Sequence, residues 1–258
     1  MAKRQSGAER DTGARIVTVP ASDDFQFPAQ AVIEHIGPRT RLVAIANPNN
    51  PTGAVASTSD LLRVIESAPN AAVLIDEAYF EFYGQTLLQQ HRDCPNLFIA
   101  RTFSKAYGMA GLRVGALIGD AEQLRVIRRV CSPYNVNGAA LACLPEAIAD
   151  QVYIRQYVAE VRESRTQLQN ALRSHGVPFW PSEANFVLAR VAAVKEGAAV
   201  FVEEMRNRGI LVRDRSGDHA CVGCVRMTLG PRQHTDRLLN ALQEVCAEST
   251  FAIGAPRP

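Results

Sequence analysis

The sequence lacks any apolar run that approaches the length of a membrane span, so it offers no transmembrane helix. It also lacks a basic arm or stripe. Its 28 Lys and Arg against 26 Asp and Glu leave a formal net charge of +2, with the cations spread along the whole length. That distribution excludes the usual electrostatic footprint of a nucleic-acid binder. The first fifteen residues, through Arg15, are polar and have no apolar middle of the kind a signal peptide needs. The expected compartment is therefore the cytoplasm. Internal repeats and low-complexity linkers are missing as well.

Cysteine is sparse, six in 258 residues, and four of the six (Cys94, Cys131, Cys143 and Cys246) stand singly among apolar neighbours, as buried free thiols usually do. Cys221 and Cys224 form one CxxC, with His219 just before it. A structural zinc site needs four ligands, usually from two such pairs, and no second pair exists. The expectation is two thiols near a strand edge and no metal.

What is present is ordinary globular composition, 47% hydrophobic and 21% charged, on a chain long enough for a large core. The runs RIVTV (15–19), RLVAIA (41–46), AAVLID (71–76), NLFIAR (96–101) and RVGALIG (113–119) read as strands. They are continuous rather than alternating, which predicts strands covered on both faces. Helical patterns fall between them at 28–36, 57–68 and 120–130, the last with Asp120 as cap and Gln123 three residues on. Such alternation predicts an α/β domain with a mostly parallel central sheet and helices on both faces. The last third differs. A long amphipathic helix over 152–173 turns Ile154, Tyr157, Val161, Leu168 and Leu172 inward. A short extended piece at 177–180, a strand at 185–190, a helix over 198–208, a strand within 224–230 and a final helix follow. The division expected is a large domain over 1–150 and a smaller C-terminal α+β domain over 151–258.

Four polar clusters lie at the ends of apolar strands, where open α/β sheets bind ligands. NPNNPTG (47–53) follows RLVAIA and fixes φ at Pro48 and Pro51. It reads either as a surface turn or as a rigid mount for the Asn50 amide. DEAY (76–79) follows AAVLI. Asp76 there is either a helix-start acid or a carboxylate paired to a cation that a cofactor supplies. RTFSKAYGMAGLRVG (101–115) sets Lys105 among Phe103, Tyr107, Met109, Ala110 and Leu112, poor company for a charge. Thr102 and Ser104 offer hydroxyls, and Arg113 offers a forked donor suited to phosphate. In CVRMTLG (224–230), Arg226 interrupts an apolar strand. Alternation allows it to face outward on an edge strand or inward as an anion grip.

Together these groups match what pyridoxal-phosphate (PLP) chemistry requires: a lysine to form an imine, an acid to keep the pyridine nitrogen protonated, and phosphate donors. In that reading Lys105 is the Schiff-base lysine and proton shuttle. Its amine must fall below the free value near ~10.4, which an apolar pocket and nearby cations bring about. Asp76 meets the pyridine nitrogen, Asn50 and Tyr79 the phenolic oxygen. Ser104, Arg113 and Thr102 hold the phosphate, and Arg226 grips the substrate carboxylate.

The motifs NPNNPTG, DEAYFEF, RTFSKAYGMAGLRVG, SEANFVL and VRMTLG, in this order, resemble the fold-type I PLP-dependent aminotransferases, and most of all the histidinol-phosphate branch. The resemblance runs from Asp11 to Cys246. It implies the fold-type I architecture, a homodimer, and the site roles just given for Lys105, Asp76, Tyr79, Asn50, Ser104, Arg113 and Arg226. Asn185, in SEANFVL, joins the substrate-binding set by the same resemblance. Arg213 lies thirteen residues before Arg226, where this branch places a contact to the substrate phosphate; a bond to Asp214 or Asp218 is the competing role. The implied reaction takes histidinol phosphate plus 2-oxoglutarate to imidazole-acetol phosphate plus glutamate. Another amino-acid aminotransferase, a phospho-amino-acid decarboxylase on the same scaffold, or an inactive shortened relative are the alternatives. The family also carries a longer segment ahead of the RIVTV strand, with a Gly-rich turn that cradles the cofactor phosphate. Only fifteen residues precede Ile16 here. The expectation is weak PLP binding and low turnover, or a true start that lies upstream.

Overall fold

The computed structural model describes residues 13–248. Two sheets organise them. The first has four strands in the order β1-β2-β3-β4: β1 (Leu42–Ala46), β2 (Ala72–Asp76), β3 (Leu97–Thr102) and β4 (Gly115–Ile118). β1, β2 and β3 run parallel, while β4 returns antiparallel to β3. Helices α1 (Ala29–Glu34) and α2 (Thr58–Ser67) lie beside it, and the one-turn helix α3 (Phe80–Tyr83) follows β2. Ser57 starts α2 by accepting the Asp60 N–H at 3.0 Å, which satisfies one of the donors a helix start leaves open.

The parallel register puts Val43, Ile45, Val73, Ile75, Leu97 and Ile99 on one face. These pack with Leu61, Val64 and Ile65 of α2 and with Val32 and Ile33 of α1 into one core. The opposite face is covered less than the continuous apolar runs predict. Leu42 is 58% exposed and Leu117 on β4 is 40% exposed. The physical reason is that α1 and α2 both pack on the first face. A second correction concerns RIVTV. Residues 15–19 are extended but enter no sheet, and Val17 is 47% exposed. A strand is defined by its ladder, and residues 15–19 have no place in the ladder of either described sheet.

After β4, α4 (Ala121–Arg128) and α5 (Gly138–Ala149) lead to the 24-residue α6 (Gln151–Ser174). Asp120 caps α4 by accepting from the N–H groups of Glu122 and Gln123. The Gln123 side chain does not reach back to complete a capping box; it donates to the Pro95 carbonyl. Around these helices two cysteines depart from expectation. Cys131 and Cys143 are exposed, because the α4–α5 segment leaves apolar groups such as Val130, Tyr134 and Leu141 open to solvent.

The second sheet is antiparallel, in the order β5-β7-β6: β5 (Phe186–Arg190), β7 (Cys224–Thr228) and β6 (Arg213–Asp214). α6, α7 (Lys195–Asn207) and α8 (Arg232–Ala247) pack on it through Leu168, Leu172, Phe201, Met205, Leu238 and Leu242. On α6 the inward stripe runs through Ile154, Val158, Val161, Leu168 and Leu172, with Val158 rather than Tyr157 fully buried. The same core takes in Tyr79, Phe82 and Ala106 from the first sheet's loops, so the two sheets share a seam. Phe201 is fully buried at that core. Phe201→Ala is expected to lower unfolding free energy by about 3–5 kcal/mol, read from denaturant unfolding. Val130→Ser, at an exposed position, should stay within about 0.5 kcal/mol of the parent.

Candidate active site

The seam gathers most of the residues that the sequence singles out. NPNNPTG leaves β1 as a closed loop. The Asn47 N–H donates to the Asp76 carbonyl at 2.9 Å, and the Asn47 side chain accepts the Ala56 N–H at 2.8 Å. Asn49 bonds Thr52 through its side chain at 2.8 Å. Gly53 has φ +75°, and a Cβ there would stand 2.0 Å from Ser182 Oγ. Only glycine lets this loop press against the SEAN segment, where the Gly53 carbonyl accepts the Glu183 N–H.

Asn50 thereby becomes a fixed amide with two partners. Its Nδ2 donates to the Tyr79 hydroxyl at 3.3 Å, and its Oδ1 accepts from Arg226 Nη1 at 2.7 Å. Tyr79 stands edge-on to Phe186 at 5.1 Å, and the Arg226 guanidinium lies 5.0 Å over the same Phe186 ring. Arg226 is on the central strand of its sheet, not an edge strand, and its Nε is buried without a protein partner. Lys105 Nζ sits 5.5 Å above the Tyr79 ring. Asp76 ends β2 and accepts the Ala78 N–H at 3.0 Å, so it caps the turn that carries Tyr79.

Electrostatics follow from this crowding. Burial lowers the Lys105 amine below its ordinary value; Arg226 and Arg113 lower it further, and Asp76 opposes them. Asp76 stays reachable from solvent, yet burial of its inner side raises its carboxyl, against the Ala78 N–H and Lys105. Burial likewise raises the Tyr79 hydroxyl.

The other expected members lie around this centre. Thr102 Oγ1 donates to Ser104 Oγ at 3.0 Å and accepts the Ser104 N–H at 3.2 Å, which shapes the turn before Lys105. Arg113 adopts φ +53°, is exposed, and donates to the Ala110 carbonyl at 3.1 Å. Arg213 is the direct ladder partner of Arg226 across β6 and β7. Nearby, Asp218 pairs with Arg215 at 2.5 Å and Asp214 accepts the Ser216 N–H. Asn185 takes part through its carbonyl, which accepts the Leu229 N–H at 2.8 Å; its side chain has no hydrogen bond among the described residues.

The profile of the family described as aminotransferase class I and II matches residues 6–242. The chain belongs to that family. It is 36% identical over 235 residues to a histidinol-phosphate aminotransferase of Caldanaerobacter subterraneus, which covers 90% of this chain and 65% of that protein. A histidinol-phosphate aminotransferase of Paracoccus denitrificans is 37% identical over 220 residues, 84% of this chain and 59% of the relative. The chain thus spans less than two thirds of the length of either. Among solved structures, histidinol-phosphate aminotransferase from Sinorhizobium meliloti in complex with pyridoxal-5'-phosphate superposes with a TM-score of 0.85. The two are 27% identical, with 94% of this chain and 67% of that one covered. The fold is the fold-type I α/β architecture of these enzymes.

One part of this aminotransferase-family site escaped sequence reasoning. Glu77, 2% exposed, accepts from Arg101 Nε at 3.1 Å and Nη2 at 2.9 Å. Thr86 Oγ1 and the Leu87 N–H complete its shell. Arg101 also stacks 3.6 Å over Phe80. The only signal available was the pairing of parallel strand ends, since both residues lie inside motifs read for other groups. Glu77→Ala leaves Arg101 without its partner and should cost about 3–5 kcal/mol of stability, measured by denaturant unfolding. A second expectation concerns Lys105. With Asp76→Asn, a charge that favours its ammonium is gone, and the pH at which the amine becomes reactive moves down. With Arg226→Gln, a repelling cation is gone and that pH moves up. The pH dependence of Lys105 acylation in the cofactor-free protein checks both; unchanged midpoints would exclude this coupling.

Proposed function

We propose that this chain carries the PLP site of an aminotransferase acting on histidinol phosphate, with 2-oxoglutarate as amino acceptor. The observation that carries the reading is the meeting of Lys105, Asp76, Tyr79, Asn50 and Arg226, from separate segments, around one seam. The donor set fits the cofactor: an amine of reduced basicity, a carboxylate at a strand end, an amide–phenol pair, and hydroxyls with a guanidinium nearby. Bound there, PLP supplies an electron sink that makes the substrate's α-proton removable.

Each side chain then has a defined task. Lys105 Nζ is the amine that would hold the cofactor aldehyde, and it is placed to take the substrate's α-proton. Its lowered basicity enlarges the neutral fraction relative to a free lysine at the same pH. Asp76 holds a proton on the pyridine nitrogen, with the Ala78 N–H orienting its carboxylate. Asn50 and Tyr79 donate toward the phenolic oxygen. Ser104, Thr102 and Arg113 serve the cofactor phosphate. Arg226 orients the acceptor carboxylate, and the Asn50 Oδ1 bond fixes the guanidinium plane. Arg213, facing Arg226 across the ladder, meets the substrate phosphate, and Asn185 borders the same substrate side.

The reading includes a cytoplasmic homodimer of large and small domains divided near residue 150. Apolar groups open to solvent on the α4–α5 segment, Val130 at 86% and Tyr134 at 91% exposure, support an association surface. Among the described residues no helix is long and apolar enough to cross a membrane.

Reduction with borohydride after incubation with PLP should fix a pyridoxyl label on Lys105, located by peptide mass spectrometry. Lys105→Ala should lose the label and at least about 100-fold in turnover; a label retained elsewhere at full yield would refute the assignment. Arg213→Ala should raise KM for histidinol phosphate about 10- to 150-fold, the worth of a charged hydrogen bond, and leave unphosphorylated histidinol unaffected.

A further inference from the structure

The Cys221/Cys224 pair has no task in the site just described, yet its surroundings are built. The Cys221 N–H donates to the Asp218 carbonyl at 3.2 Å, and the Cys224 N–H donates to the Cys221 carbonyl at 2.9 Å. The second bond closes a four-residue turn, which keeps its first and last Cα atoms within about 7 Å. A disulfide spans about 4.4–6.8 Å between Cα atoms. Left-handed backbone at Ala220 (φ +56°) and Gly223 (φ +71°) brackets the thiols. A Cβ on Gly223 would lie 1.8 Å from the Ala192 carbonyl oxygen, so the turn is pressed onto its neighbour and held.

Both sulfurs are sheltered. Cys221 is 1% and Cys224 0% exposed, among Phe25 and Leu188, while Val222 between them is 51% exposed. The sulfurs therefore lie beneath a turn whose tip, Val222, is open to solvent, and Cys224 Sγ donates to the Val222 carbonyl at 3.7 Å. Arg190 is the ladder partner of Cys224 and donates to the Ala220 carbonyl at 3.4 Å. Two thiols and an exposed His219 do not make a metal centre; among the described residues no group of three or more His, Cys, Asp or Glu is placed to hold an ion.

We propose that Cys221 and Cys224 form a redox-active dithiol site that hydrogen peroxide oxidises to an intramolecular disulfide. Cys224 is the attacking sulfur. The hydrogen bond from the Cys221 thiol, aided by Arg190, lowers the Cys224 thiol to about 7 against the effect of burial. The same bond, together with burial, raises Cys221, which keeps its proton. The Cys224 thiolate attacks the peroxide oxygen, the O–O bond breaks, and the departing oxygen leaves as water after taking a proton. The resulting sulfenic acid condenses with the Cys221 thiol; the S–S bond forms and a second water leaves. Two thiols are oxidised by two electrons, and one peroxide is reduced to two waters. The inference stands apart from the PLP reading and needs no cofactor.

The test uses the full chain, reduced, then exposed to hydrogen peroxide, denatured, alkylated and digested. The expected product is a peptide in which Cys221 and Cys224 are joined and have lost two hydrogens, reversed by dithiothreitol. It should form before denaturant is added, with both cysteines on one chain. In Cys221→Ser, Cys224 should accumulate as a sulfenic acid that dimedone traps. If Cys221 and Cys224 both remain alkylatable after denaturation while Cys131 and Cys143 are oxidised, the proposal is overturned. That wild-type measurement decides the matter even where a variant folds poorly.

Discussion

A buried carboxylate, Glu77, bonds a guanidinium, Arg101, at the ends of two parallel strands, and the geometry of the seam hangs on that contact. β2 delivers Asp76 and β3 delivers the turn to Lys105. Parallel strands fix the relative height of their residues but leave the loops beyond them free to splay. Glu77 follows Asp76 directly, and Arg101 stands four residues before Lys105. Their paired bonds, with Thr86 and the Leu87 N–H filling the remaining lone pairs, close the two loop bases onto each other. An ion pair so buried contributes less to net stability than its Coulomb energy suggests, because both charges lose water. What it supplies is a geometry that neither strand specifies alone.

Asn50 plays the matching part between the two sheets. One amide donates to Tyr79, which packs into the second sheet's core, and accepts from Arg226, which belongs to that sheet. Asn50 itself can do this because its loop is closed by Asn47, Asn49 and Thr52, and because Gly53 lets the loop touch the SEAN backbone. Dynamics and chemistry meet at that point. A rigid-body shift of one sheet relative to the other must break the Arg226–Asn50 bond first.

Much of this was legible in the sequence, and the reasons for the rest are physical. β1, β2 and β3 were readable because each is a continuous apolar run, though β1 and β2 are well covered on one face only. RIVTV has the same composition and is no strand, because pairing belongs to the neighbour as much as to the run. Lys105, Asp76, Asn50 and Arg226 announced themselves as polar groups at apolar strand ends. The Glu77–Arg101 bond did not, since nothing local distinguishes a buried Glu from a solvated one. Cys131 and Cys143 misled for the converse reason: apolar neighbours in sequence do not guarantee cover in space. The thirteen residues between Arg213 and Arg226 gave a spacing and no register.

That register carries an argument of its own. Like charges directly opposite on paired strands are destabilising, and Arg213 faces Arg226 directly. Arg215, two residues on, adds a third cation, of which Asp218 neutralises one charge. Arg226 responds: burial lowers its pKa, Tyr79 opposes, and Arg215 and Arg213 push the same way as burial. The carbonyl side of Asn50 and the ring face of Phe186 offset only part of that repulsion. A ligand with a single negative charge would satisfy one arginine and leave the other opposed. A ligand anionic at two points would remove the repulsion at both ends of the ladder pair. Of the partners in the proposed exchange, 2-oxoglutarate carries two carboxylates, while histidinol phosphate carries its negative charge on one phosphate group, whose several oxygens accept from both guanidinium groups. The repulsion built into β6 and β7 therefore favours anionic ligands over neutral amines.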